Sequence, residues 1–281
     1  HILAEPQRTN LVTYSEDFTQ WTKANASSVN TITSTVISPD GVSYANKLYP
    51  IGSGSNAYIY QSIAGDCFSI FVKKGERRWV LIYGGFTNSN VWFDSENGVL
   101  GTVKSEATAT VESFGNDWYK IKILWTQNSA NVRIYNTDND NTLVSTGNGT
   151  DGLYIWGAQL EQGSYATSYI PTSGSTVTRN QDIFTRDGIG SLINSTEGVL
   201  FLEASTLENG GINRIISLSD ETNNNLIYIR FDATSSRIYG FARGSSGSYT
   251  SLVVNSVTQT NNNKIALVWD ATNVRVWING S

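Results

Sequence analysis

The sequence predicts an all-β chain of two antiparallel β-sandwiches in tandem, and three observations carry that expectation. Only 15% of the 281 residues are charged and Met is absent, whereas Gly numbers 25. Helices favour Ala, Leu, Glu and Lys, while short strands rich in aromatic and β-branched residues need polar turns between them. Apolar residues also alternate with a period of two in the clearest segments, which places them on one face of a strand. Finally, the run Pro171-Thr-Ser-Gly-Ser-Thr-Val-Thr-Arg-Asn180 offers small polar residues suited to an extended connector between two folded parts.

The elements follow in order. Thr31 to Ile37 and Tyr44 to Tyr49 read as strands flanking Ser38-Pro-Asp-Gly41. In that turn Pro39 presets its own φ and Gly41 relieves the steric penalty of chain reversal. Strand-like runs continue at Ala57 to Ile63, Cys67 to Val72, Arg78 to Tyr83, Val91 to Asp94 and Ala107 to Phe114. Alternation is cleanest in Trp118 to Trp125, where Tyr119, Ile121, Ile123 and Trp125 share the face that must be core. Asn131 to Tyr135 repeats it, with Val132 and Ile134 inward and Arg133 and Tyr135 outward, and Leu153 to Leu160 reads as the last core strand of this part. Beyond the connector, Gly198 to Ala204, Arg214 to Leu218, Leu226 to Phe231, Ser236 to Phe241 and Ser248 to Val254 form a meander. Two further strands flank the turn Asp270-Ala-Thr-Asn273. No helix longer than a turn or two is expected.

Composition narrows function. A net charge of -5 argues against nucleic acid, because phosphate binding needs a basic face. No apolar run approaches the roughly 20 residues that a membrane-spanning helix requires. The single cysteine, Cys67, opens an apolar strand and reads as a buried, inert thiol. The single histidine, His1, stands at the first position, which argues against a Ser-His-Asp or Cys-His nucleophile and against a His/Cys zinc site. Carboxylate-only catalysis or binding remains. Asp94, Glu96, Glu112 and Glu161 are available as acids, but no spacing singles out a glycosidase pair. The expectation is a protein without enzymatic activity.

Two segments carry a family resemblance. Glu5-Pro-Gln-Arg-Thr-Asn-Leu-Val-Thr-Tyr-Ser-Glu-Asp-Phe-Thr-Gln-Trp21 opens the first part, and Trp156-Gly-Ala-Gln-Leu-Glu-Gln-Gly-Ser-Tyr-Ala-Thr-Ser-Tyr-Ile-Pro171 closes it. Together they resemble the flanking lines of a jelly-roll, carbohydrate-binding-like module found in tail-fibre and other virion proteins of bacteriophages. The segment from Asn263 to Gly280 resembles the late hairpin of laminin-G or concanavalin A-like sandwiches, with Asp270-Ala-Thr-Asn273 where that family has Gly at the second position. The resemblance implies a jelly roll over residues 1–180, a connector over 181–195, and an incomplete concanavalin A/laminin-G-like sandwich over 196–281. That second family normally continues beyond this point and the chain starts without Met, so the expectation is a fragment of a longer polypeptide, truncated at its C-terminus.

Eight tryptophans and fourteen tyrosines suit a surface that stacks sugar rings, although large aromatics also fill sandwich cores. Trp125, Trp156 and Trp269 sit among apolar neighbours and are assigned to core. Trp92, Trp118 and Tyr135, with Lys120, Lys122 and Arg133, fall on the outward side of their strands and form the predicted glycan-binding set. A solvated face or a subunit contact explains the same pattern. Structural calcium, frequent in sugar-binding jelly rolls, would draw on Glu5, Glu16, Asp17 and Asp40 or on Asp138, Asp140 and Asp151. Turn-forming Asx residues explain these equally well.

The resemblance therefore implies a virion protein facing the exterior, a tail-fibre or other adhesin segment. Its partners would be cell-surface polysaccharide or other virion proteins, without membrane insertion, and it would be a homo-oligomer, trimeric by analogy with such fibres. Two alternatives stand beside it: a purely structural decoration or fibre protein, and an accessory carbohydrate-binding module of a larger polysaccharide-degrading enzyme.

Overall fold

A computed structural model describes residues 2–54, 57–194, 196–244 and 249–281. His1 and Ser248, both invoked above, lie outside the described residues. The chain is antiparallel β throughout, and the helical segments among the described residues are two three-residue 3-10 turns, Phe18–Gln20 and Gly190–Leu192. It divides into two compact units, residues 1–183 and 184–281.

In the first unit the strands are β1 (Arg8–Asn10), β2 (Thr22–Lys23), β3 (Val29–Ile37), β4 (Tyr44–Pro50), β5 (Ser53–Gly54), β6 (Tyr58–Gln61), β7 (Cys67–Lys73) and β8 (Trp79–Tyr83). They continue as β9 (Val91–Asp94), β10 (Val99–Val103), β11 (Ala107–Ser113), β12 (Trp118–Trp125), β13 (Val132–Thr137), β14 (Ser145–Thr146), β15 (Leu153–Glu161) and β16 (Val177–Arg179). Two six-stranded sheets result, ordered β10-β9-β8-β13-β6-β2 and β11-β12-β7-β15-β4-β3. Within them, β4-β15-β7-β12 faces β6-β13-β8-β9, and along that path the chain changes sheet at every connection except β8 to β9. The last of these strands lies beside the first. This is the double Greek-key order of a jelly roll.

The inner faces meet in one core. Ile121, Ile123 and Trp125 of β12 pack with Phe68, Ile70 and Val72 of β7 against Val80, Ile82, Phe93, Val132 and Ile134 of the other sheet, with Tyr119 partly buried at its margin. The period-two reading of β12 and β13 thus corresponds to the observed core.

Strand β15 departs from simple alternation. Gly157 has φ +63°, and the pairing with β7 shifts between Trp156 and Gln159. This is a bulge, which inserts one residue and resets the phase. Ile155 therefore faces the core, as do Ala158 and Leu160, while Trp156, Gln159 and Glu161 face away from it. A Cβ on Gly157 would stand 3.0 Å from the Phe71 ring. Trp156, expected in the core, consequently belongs to a separate buried layer on the opposite face, with Phe71, Ala45 and Trp118.

The opening and closing segments are fastened to each other. Strand β1 pairs with β16 and Tyr14 bridges Ser173. Fully buried Asn10 donates to the carbonyls of Ala158 (3.1 Å) and Ile170 (2.8 Å), and its oxygen accepts from the amides of Val12 and Leu160, both at 3.1 Å. The amide of Ile170 donates to Gln159 Oε1 (2.7 Å), and Gln159 Nε2 donates to Glu161 (2.8 Å). Glu161 also accepts from the amide (3.0 Å) and hydroxyl (2.5 Å) of Thr167. Glu5 accepts from the Ser168 amide (2.8 Å) and from Arg179 (2.6 Å). Burial of Asn10, Gln159, Glu161 and Glu5 is tolerated because each is hydrogen-bonded. The two lines that carry the resemblance form a clasp over the outside of one sheet.

The second unit holds β17 (Gly198–Ala204), β18 (Arg214–Ser219), β19 (Leu226–Phe231), β20 (Arg237–Arg243), β21 (Tyr249–Asn255), β22 (Asn263–Trp269) and β23 (Val274–Ile278). A three-stranded sheet, β17-β22-β23, and a four-stranded sheet, β18-β19-β20-β21, enclose Ile229, Phe231, Ile238, Ile265, Leu267 and Ile278. Asp270 closes the β22–β23 turn by accepting from the amides of Thr272 and Asn273, both at 2.8 Å.

Candidate functional site

The predicted glycan-binding residues separate onto two surfaces. Trp92, Arg133 and Tyr135 lie on the outside of the sheet β10-β9-β8-β13-β6-β2, whereas Trp118, Lys120 and Lys122 lie on the outside of the other sheet. All six point away from the core, as their strand phase requires. Several are nevertheless not exposed, because second layers cover them.

On the clasp side, Trp118 retains 2% exposure and its indole N–H donates to the Ile37 carbonyl at 3.1 Å. It shares a buried apolar cluster with Phe71 and Trp156, against which Tyr169 packs, with the Trp156 and Tyr169 centroids 4.8 Å apart. Lys120 is 6% exposed, with its ammonium 5.3 Å from the centre of the Phe71 ring. Burial lowers its pKa, and neighbouring Lys122 acts in the same direction. Lys122 itself pairs with Glu112 at 2.7 Å. The expectation of a sugar-stacking surface at Trp118 and Lys120 is corrected: the clasp and strand β3 occupy that space.

The other sheet presents a different surface. Cross-strand register aligns Tyr58 with Tyr135, Tyr135 with Leu81 and Leu81 with Trp92, and it sets Arg133 between Tyr60 and Tyr83. Each of the tyrosines 58, 60 and 83 alternates with a core residue on its own strand, which is why they share this face. The Arg133 guanidinium lies 5.0 Å from the Tyr58 ring centre and 4.8 Å from that of Tyr83. Its Nε donates to Asn131 at 2.5 Å. Tyr58 packs on Tyr135 at 4.5 Å and stands 5.9 Å from Tyr60. Burial pushes the Tyr135 phenol up to about 12, offset in part by a hydrogen bond and the positive charge from Arg133.

One end of this face is closed. Trp92 is 2% exposed and donates its indole N–H to the Thr142 carbonyl at 2.9 Å, while Lys104 lies 5.8 Å above its ring. Asp140 anchors the same loop by accepting from the amide (2.8 Å) and hydroxyl (2.9 Å) of Thr102. Trp92 and Tyr135 therefore form the floor of the face rather than its open surface, a second correction. The half-exposed residues are Tyr58, Tyr60, Trp79, Tyr83 and Arg133, with Trp79 drawn toward the Arg78 side of the face. The three tyrosines were absent from the predicted set. Their signal was present in Tyr58-Ile-Tyr60 and Leu81-Ile-Tyr83, where each tyrosine lies out of phase with a core isoleucine.

The acids proposed for calcium or catalysis are engaged by protein groups. Asp40 accepts from Ser38 (2.5 Å) and from the amides of Val42 and Ser43 (both 2.9 Å). Burial alone would raise its pKa, but these bonds hold it down at about 2. Asp138 pairs with Arg77, and Asp151 accepts from Thr150 within its own turn. Asp17 accepts from the Thr19 amide at 3.1 Å, and Glu16 accepts from Tyr169 at 3.0 Å. Among the described residues, no three His, Cys, Asp or Glu side chains converge to hold a metal. Asp94 caps its own turn and shares Arg78 with Glu96, Glu112 is paired with Lys122, and Glu161 belongs to the clasp.

No protein-family model matches the chain, and no curated protein matches it.

Proposed function

We propose that the chain is a non-enzymatic, glycan-binding segment of a bacteriophage virion protein, a tail fibre or other adhesin facing the exterior. The observation that carries the binding part is the outer face of the first unit, where half-exposed Tyr58, Tyr60 and Tyr83 surround Arg133. Sugar rings present C–H faces that pack on aromatic planes, and their hydroxyls and acid groups take hydrogen bonds from a fixed guanidinium. Trp92 and Tyr135 beneath hold these side chains in place, so little ordering penalty falls on binding. The virion part is supported by the two lines at residues 5–21 and 156–171, which resemble phage modules and here form the clasp. A glycan array printed with bacterial surface polysaccharides tests the reading on the full chain. A reproducible set of hits supports it, and a blank array at high protein concentration sinks it.

A second reading, a structural fibre protein assembled from copies of this chain, draws on the second unit. There Val199 (58% exposed), Phe201 (59%) and Trp277 (49%) share the outside of one sheet, with Phe201 and Trp277 flanking Ala266. Exposed apolar groups in one patch mark contact surfaces. Solution mass by light scattering separates the readings: an oligomer that Phe201→Ser and Trp277→Ser dissolve, with a blank array, favours the structural one.

A further inference from the structure

We infer that the face around Arg133 selects acidic glycans, with Arg133 receiving the carboxylate of a uronic-acid-type sugar whose ring packs on Tyr83 or Tyr58. This rests on the glycan-binding reading and specifies its ligand class.

Several arginines elsewhere in the chain are paired with acids. Arg77, Arg179, Arg214 and Arg237 pair with Asp138, Glu5, Glu208 and Asp232, at 2.5 to 2.9 Å. Arg133 has no carboxylate partner among the described residues. Rings lie against it on two sides, Asn131 takes its Nε–H, and the Tyr135 phenol accepts a further hydrogen bond from it. Such a side chain has no acid beside it to offset its charge, is held in one orientation, and is partly stripped of water by the tyrosines. A guanidinium in that state favours a planar carboxylate, which its remaining N–H groups are able to meet as a fork.

The surroundings agree in sign. Lys104 lies over Trp92 on the same face, while Asp140, the acid at the closed end, is taken up by Thr102. Asp138, on the adjoining turn, is neutralised by Arg77. Arg133 and Lys104 thus place two positive charges on the aromatics of this face, on a chain whose net charge is -5. That contrast is a property of this place and not of the composition.

The test prints acidic bacterial oligosaccharides beside their carboxyl-reduced counterparts, together with neutral, sulfated and phosphorylated glycans. Wild type, Arg133→Lys and Arg133→Met are applied, and near-ultraviolet circular dichroism establishes that each variant is folded. The expected result is binding to uronate-bearing glycans that falls at least about tenfold on carboxyl reduction. Arg133→Met is expected to show the same fall and to become indifferent to reduction, and Arg133→Lys to show a smaller fall and to keep part of the difference between acidic and reduced glycans. The reduction comparison uses wild type alone, so it stands even where a variant misfolds. Equal binding of acidic and reduced glycans overturns the inference and leaves the glycan reading intact. Preference for sulfate or phosphate overturns the carboxylate assignment, and a blank array overturns both.

Discussion

Replacing Asn10 by Ala tests the clasp at its centre. The Asn10 side chain makes four hydrogen bonds, to Ala158, Ile170, Val12 and Leu160, in a fully buried position. Truncation leaves two carbonyls and two amides without their partner. A buried polar group stranded in this way costs about 1–3 kcal/mol. Local relaxation allows some of the four to find other partners, so a loss of about 4 kcal/mol is the working value. With a urea dependence of about 2 kcal/mol per molar for a unit of this size, the midpoint falls by about 2 M. Thr9→Ala is the control: its hydroxyl meets Thr178 at 2.8 Å on the same strand, but in an exposed position, where the loss is about 0.5 kcal/mol. Unfolding followed by near-ultraviolet circular dichroism reports chiefly on the first unit, which holds six of the eight tryptophans. A midpoint for Asn10→Ala within about 0.5 M of the control's would refute the view that one buried amide ties the two ends of the jelly roll together.

Other outcomes follow from the same geometry. Gly157→Ala carries both an unfavourable φ and crowding against Phe71, while Gly41→Ala, at φ +76° with open space around its Cβ, carries only the first. The former is expected to destabilise by about 2–4 kcal/mol and the latter by about 1 kcal/mol in the same assay. Cys67 is 2% exposed, and burial, with Glu161 adding to it, pushes its thiol up to about 12. A thiol reagent at pH 8 should therefore leave the native chain unlabelled and modify it in denaturant; rapid native labelling would contradict the buried assignment. The Asp40 carboxyl is held at about 2 against 3.8 when free. Its contribution to stability is present above pH 3.8 and disappears as pH falls through 2, so the stability gap between wild type and Asp40→Asn should narrow across that window. Trp118→Ala empties a buried layer and is expected to cost about 3–5 kcal/mol of stability, which denaturation would separate from any change in binding.

The strand phases were legible wherever alternation was undisturbed. Tyr119, Ile121, Ile123 and Trp125 pointed to the core, and Trp92, Arg133 and Tyr135 pointed away from it. What periodicity does not convey is whether a face that leaves the core is covered again. Trp118 and Lys120 are hidden by the clasp, whose contacts join residues more than a hundred positions apart, and Trp92 is capped by the Thr142 loop. Trp156 is buried, as its apolar neighbours suggest, but in a second cluster on the far side of its sheet, and the bulge at Gly157 hides that difference from any reading by alternation. Short strands such as Arg8–Asn10 and Val177–Arg179 have no periodicity to detect and exist only because each pairs with the other. The tyrosines of the open face were readable in phase, but grouping them needed the register of β6, β13 and β8, which only the folded sheet supplies.

The central proposal is that the open face of the first unit binds sugar. Calorimetric titration of the strongest array ligand into the wild-type full chain, Tyr83→Ala and Lys122→Ala tests that directly. Affinity is expected to be at least about tenfold weaker for Tyr83→Ala and unchanged for Lys122→Ala, whose side chain lies on the opposite sheet. Undiminished binding by Tyr83→Ala, or a loss confined to Lys122→Ala, would contradict it.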